Sequence, residues 1–135
     1  MIDDDILILV RYRLDQARSA AEDAGLLLES KRPPFGIVNR AYYAMFYSVL
    51  ALLQLNNLVP KKHAGALTLF DAEFVKQGIF PKELSRDIHH AFDLRQASDY
   101  QVVDSVTESE ARDIYGKAEA FVMKIEKYIN TLISV

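Results

Sequence analysis

The stretch FGIVNRAYYAMFYSVLALLQL, residues 35–55, decides the architecture. Val38, Ala41, Tyr42, Met45, Phe46, Val49 and Leu53 recur at three- and four-residue steps, the period of an α-helix with one broad apolar stripe. The other side is not plainly polar, because it carries Arg40, Tyr43 and Tyr47. A helix that is apolar or aromatic nearly all round is buried on more than one side. This segment is therefore expected to be the central helix of a bundle.

The flanking sequence supplies partners of the same kind. A first helix is expected from about Asp4 to about Glu29, with Leu7, Val10, Leu14, Ala17, Ala21, Ala24 and Leu28 along one face. Three aspartates complement its N-terminus, and Lys31-Arg32-Pro33-Pro34 ends it. After a loop at Asn56-Asn57-Leu58-Val59-Pro60, a shorter helix spans roughly Lys62 to Lys76, with Gly78 as its C-cap. Pro81 opens a fourth helix, and Thr107-Glu108-Ser109-Glu110 is a capping box that opens a fifth. No segment alternates like a strand, and no repeat or long linker divides the chain. The expected fold is all-α, an up-and-down bundle of about five helices forming one domain over residues 1–135.

Composition narrows the function classes. Half of the 135 residues are hydrophobic and 26% are charged, which suits a globular core. There is no cysteine, so disulfides, thiolate metal sites and cysteine nucleophiles are excluded. The start, Met1-Ile2-Asp3-Asp4-Asp5, is acidic and only Ile6 to Val10 follow as an apolar run. That is neither a signal peptide nor a membrane span, and a cytoplasmic protein without membrane contact is expected. The formal charge of −3 disfavours a generally nucleic-acid-coating surface but leaves local basic sites at Lys61-Lys62-His63 and Lys31-Arg32.

The fourth helix holds the sharpest anomaly. Its apolar stripe is Leu84, Ile88, Ala91 and Phe92, and the next residue on that face is Arg95, with Asp99 four further on. A buried guanidinium without a partner is very costly. Two readings follow: an Arg95–Asp99 ion pair that ties down the helix end, or Arg95 facing a cleft and binding phosphate with its planar fork. His63, after two lysines at a helix entrance, reads either as an anion site or as a capping residue. His89 and His90 diverge by about 100° on a helix, cannot readily share a metal, and are expected in solvent. The tyrosine-rich side of the second helix suits a homodimer contact or a cleft wall. No glycine-rich phosphate loop, serine elbow or His-Glu-x-x-His zinc pair is present.

These residues also carry a family resemblance. Asn39–Tyr47, NRAYYAMFY, resembles the second-helix signature of a prokaryotic branch of the HEPN domains. Lys62-His63-Ala64-Gly65 resembles the Lys/Thr-His-Ser-Gly turn that follows it, and Phe92–Tyr100, FDLRQASDY, resembles that branch's Leu-Arg-x-x-Ala-Asp-Tyr segment. The likeness covers about residues 5 to 130 in the same order and spacing. It implies a helical bundle that commonly forms homodimers and is often encoded beside a minimal nucleotidyltransferase, as toxin and antitoxin. It also implies, for the active ribonucleases of the superfamily, an Arg-x4–6-His motif that meets its copy across the dimer and cuts RNA without metal. Some partner enzymes silence such toxins by adding AMP to a tyrosine close to the motif.

Arg95 matches the motif arginine, but no histidine follows it in the chain, and Tyr100 stands after a four-residue gap where the motif histidine falls. Histidine titrates near neutrality and shuttles protons, whereas tyrosine, with a pKa of about 10, is a poor base. Arg86 with His90 is one residue too close for the motif and lies on the face away from Arg95. The resemblance thus implies a dimeric protein that binds RNA or nucleotide at an inter-subunit cleft and works with a nucleotidyltransferase. Arg95 and Tyr100 are its catalytic candidates. Arg95 contacts phosphate, Asp99 orients it, Tyr100 faces the cleft, and Arg40, Tyr43 and His63 line or support the site. Neither metal nor cofactor is expected. The alternative is a non-catalytic interaction module, a docking partner or modification target of a nucleotidyltransferase.

Overall fold

The computed structural model describes residues 2–100 and 106–133. Five α-helices run in order among them: α1 (Asp4–Glu29), α2 (Pro34–Leu55), α3 (His63–Phe70), α4 (Lys82–Tyr100) and α5 (Glu108–Ile133). No strand is present among the described residues. The helices begin and end where local chemistry requires. The Asp3 carboxylate accepts a hydrogen bond from the Asp5 amide at 2.8 Å, satisfying one of the donors exposed at the start of α1. Thr107 and Glu110 exchange the two bonds of a capping box, at 3.0 and 3.1 Å, to open α5.

Two helix ends turn through left-handed residues. At the end of α1, Lys31 has φ 54°, with its amide bonded to Leu28 O and that of Arg32 to Leu27 O. At the end of α2, Asn57 has φ 59°, and the amides of Asn57 and Leu58 reach Gln54 O and Leu53 O. Both are Schellman closures, for which glycine or asparagine is the low-cost residue.

α2 is the central helix. Twelve of its 22 residues are buried, including Tyr42, Met45, Phe46 and Leu52. It packs most extensively on α1 and also against α5, α4 and α3. Each fully buried large aliphatic or aromatic side chain contributes about 1.5–3 kcal/mol relative to exposure, so this helix anchors the fold. Ser48, buried on it, satisfies its hydroxyl by donating to Met45 O at 2.7 Å.

The third helical segment is not one continuous α-helix. α3 stops at Phe70 and a π-helical turn follows over Asp71–Val75, closed by the Lys76 amide on Asp71 O at 2.8 Å. Phe70 and Phe74, on either side of this turn's start, both enter the core, beside Phe80 and Phe121. The turn directs Asp71 to His89, whose Nε2 lies 2.7 Å from the carboxylate. His89 is therefore half-buried and hydrogen-bonded to Asp71 instead of standing free in solvent, while His90 is exposed. Gly78, at φ 80°, reverses the chain into α4.

On α4 the buried stripe is Leu84, Ile88, Ala91 and Leu94, with Phe92 half-buried. The stripe shifts by one residue from the expected line. Leu94 takes the core position and Arg95 falls on its flank, half-buried, where α4 meets α2.

Candidate functional site

Three helices converge on Tyr42. Its side chain, on the buried stripe of α2, has no solvent exposure, yet its hydroxyl reaches the edge of the core. There it lies 2.9 Å from Nδ1 of His63, the first residue of α3. The two rings stack at 5.8 Å, and the imidazole stacks more closely on Phe46, at 4.1 Å and 18°. Tyr43 meets the same imidazole edge-on at 5.7 Å. Among the described residues, no hydrogen bond is made to His63 Nε2.

Arg95 enters from α4. Its guanidinium carbon lies 5.1 Å from the Tyr42 ring centre, 5.7 Å from Tyr43 and 5.9 Å from Phe92. Nη1 donates to the Tyr43 hydroxyl at 3.3 Å. A cation over aromatic faces is attracted by the ring quadrupole, more strongly when water is displaced. The rings thus explain how a permanent charge is tolerated next to an apolar stripe. Arg40 approaches Tyr43 too, at 5.2 Å, with Nε donating to Asn39 Oδ1 at 3.1 Å. Tyr43 therefore has two guanidinium groups within cation–π distance.

The electrostatics set the protonation states. Burial pushes the His63 imidazole below its ordinary range, and the nearby Arg95 charge pushes it the same way. Burial raises the Tyr42 hydroxyl far above the ordinary tyrosine range, a shift Arg95 partly opposes and Tyr43 reinforces. At neutral pH the pair is a neutral imidazole beside a protonated phenol. When Nδ1–H donates to the Tyr42 oxygen, Nε2 is left as an acceptor. In that tautomer the site offers guanidinium donors to an anion, a ring to stack on and a nitrogen that takes a proton; when the Tyr42 O–H donates to Nδ1 instead, Nε2 is a donor.

Of the residues singled out from sequence, Arg95, Tyr43, Arg40 and His63 come together. The α4 backbone continues through Asp99 and Tyr100, whose side chains lie outside the described residues. Tyr42 is not legible as a site residue in the sequence, because its place on the apolar stripe marks it only as core. The neighbouring signal was the short loop 56–62, which is long enough to bring the chain back along α2. Among the described residues, no group of three or more His, Asp or Glu side chains could hold a metal ion, and no helix is long and apolar enough to cross a membrane.

The chain is 40% identical to a UPF0332 protein of Thermotoga maritima over 124 residues, covering 92% of this chain and 93% of that one. It is 35% identical to the protein named "Putative toxin MJ0605" of Methanocaldococcus jannaschii, over 98% of both chains. A second protein of that organism, named "Putative toxin MJ0142", is 35% identical over 86% of this chain and 78% of its own length. The model of the HEPN domain matches residues 10–128, and with a bundle of this topology the chain belongs to the HEPN domain family.

Proposed function

We propose that this chain is the toxin-type member of a toxin–antitoxin pair, binding RNA or nucleotide at a cleft formed where two copies meet. The observation that carries this reading is that Tyr42 joins Arg95 of α4 to His63 of α3, so one aromatic platform holds both a phosphate-binding fork and a titratable nitrogen. The names of the two Methanocaldococcus relatives support the toxin side of it. The half-buried Tyr43 and Tyr47 suit a dimer contact, being large, rigid and amphipathic.

In this reading His63 supplies what the Arg-x4–6-His motif lacks after Arg95. Its Nε2 takes the proton of a ribose 2′-hydroxyl as that oxygen bonds to phosphorus, and Arg95 balances the charge that develops there. The P–O5′ bond breaks, the 5′ oxygen takes a proton from solvent, and a 2′,3′-cyclic phosphate remains. Asp99 orients Arg95. Tyr100 is the acceptor for AMP delivered by a minimal nucleotidyltransferase.

Expression of the chain without its genomic neighbour tests this. Growth arrest by the wild type, lost in Arg95→Ala and in His63→Ala with helical content unchanged, is the expected outcome. Arrest that persists in both variants contradicts it. The missing histidine after Arg95 favours a second reading, a non-catalytic docking module. Mass analysis of the chain co-expressed with that neighbour separates the two: an AMP adduct on Tyr100 supports the toxin, and a stable unmodified complex without RNA cleavage supports the module.

A further inference from the structure

We propose that the hollow between α1, the end of α2 and the entrance of α3 holds a phosphate group of the RNA strand bound at Arg95. It measures about 160 Å³ and is lined by Arg13, Lys61, Lys62 and His63, with Phe46 and Pro60 among its apolar walls. No carboxylate lines it among the described residues, although acidic residues outnumber basic ones in the chain, 19 to 16. Its size is well below the roughly 300 Å³ at which pockets begin to take a drug-sized molecule, so it fits a single small group rather than a nucleoside.

The fold adds Arg13 of α1 to the basic run Lys61-Lys62-His63. The Schellman turn at Asn57 and then Pro60 redirect the chain after α2, setting Lys61 and Lys62 opposite Arg13 of α1. Arg13 is oriented by a 2.9 Å bond from Nη1 to Gln16 Oε1. Lys62 occupies the N-cap position of α3 and makes no side-chain cap bond, so the first amides of that helix are not satisfied by their own cap. His63 belongs to both regions: its Nδ1 bonds Tyr42, and its ring forms part of the wall of the hollow. A strand whose phosphate sits at Arg95 thus finds a second cationic seat across the imidazole. The identity of the ligand rests on the reading of Arg95 given above; the anion site itself does not.

Two titrations test the proposal. Inorganic phosphate added to the full chain, followed through the His63 ring signals by NMR, is expected to give a saturable shift. The shift persists in Arg95→Ala and disappears in Lys61→Ala/Lys62→Ala, a pair of exposed residues whose loss leaves the fold intact. Short single-stranded RNA, followed by fluorescence anisotropy across a salt series, is expected to bind the double variant several-fold more weakly. The slope of log affinity against log salt then falls in magnitude by about 0.7, the value for one lost phosphate contact on a single strand. No phosphate shift in the wild type overturns the proposal. So does wild-type RNA affinity and slope in the double variant when Arg95→Ala has lost binding, an outcome that leaves the Arg95 reading standing. Phosphate binding in the hollow together with RNA binding indifferent to Arg95→Ala removes the Arg95 reading and with it the RNA ligand proposed here.

Discussion

The hydroxyl of Tyr42 lies 2.9 Å from Nδ1 of His63, and this contact fixes the direction of the only imidazole that shares an aromatic cluster with Arg95 among the described residues. Because one ring nitrogen is engaged and the ring is clamped on Phe46, the imidazole presents the other nitrogen in one orientation.

Tyr42→Phe removes that hydroxyl and keeps the ring. The expected cost to folding is about 1 kcal/mol, that of one partly buried hydrogen bond. Denaturant unfolding checks the size, and the NMR signals of His63 should move while the helical signature does not.

The His63 imidazole is held below its ordinary range, so the unfolded chain binds its proton more readily than the folded one. The stability contributed by the neutral ring is present above about pH 6.5, the unfolded value, and is lost as pH falls through the folded value. Thermal melts of the wild type should therefore show Tm declining on acidification from that pH. In His63→Gln this part of the decline should be absent, and an unchanged profile would count against a desolvated imidazole.

Lys31 closes α1 in the left-handed region, at φ 54°, where a side chain is strained. Lys31→Gly should stabilise the fold by about 1 kcal/mol, seen as a higher midpoint in denaturant with the slope unchanged.

The two mid-helix glycines respond differently to alanine. A Cβ at Gly116 of α5 meets nothing within 4 Å, so Gly116→Ala gains the helix propensity of alanine, about 1 kcal/mol. A Cβ at Gly25 of α1 falls 2.8 Å from the Tyr115 hydroxyl, with the ring carbon behind it at 3.2 Å. Gly25→Ala must displace that ring, and the same unfolding measurement should show it less stable than Gly116→Ala.

Much of the fold is legible in the sequence because the helices keep their apolar period. Every residue of the α2 stripe, from Val38 to Leu53, is buried, and Thr107 with Glu110 makes the capping box its spacing predicts. The π-helical turn after Phe70 is not legible. Phe70 and Phe74 stand four apart, as an ordinary helix would also have them, and one wider turn leaves no trace in that pattern.

The site is half legible for a related reason. Periodicity gives the face on which Tyr42 lies but not the reach of its hydroxyl to a residue 21 positions away. Arg95 stands out in sequence as a charge continuing an apolar stripe. Its position on the flank depends on Leu94 taking the core, a choice set by the packing of α4 on α2.

The central claim, that Arg95 beside His63 and Tyr42 binds the phosphate of RNA, is tested most directly by the binding isotherm of fluorescent single-stranded RNA with wild type and Arg95→Ala. A charge-assisted contact of about 1.5–3 kcal/mol corresponds to a loss of roughly ten- to a hundredfold in affinity, with the circular dichroism of the helices unchanged. Equal affinity of the two proteins would contradict the account.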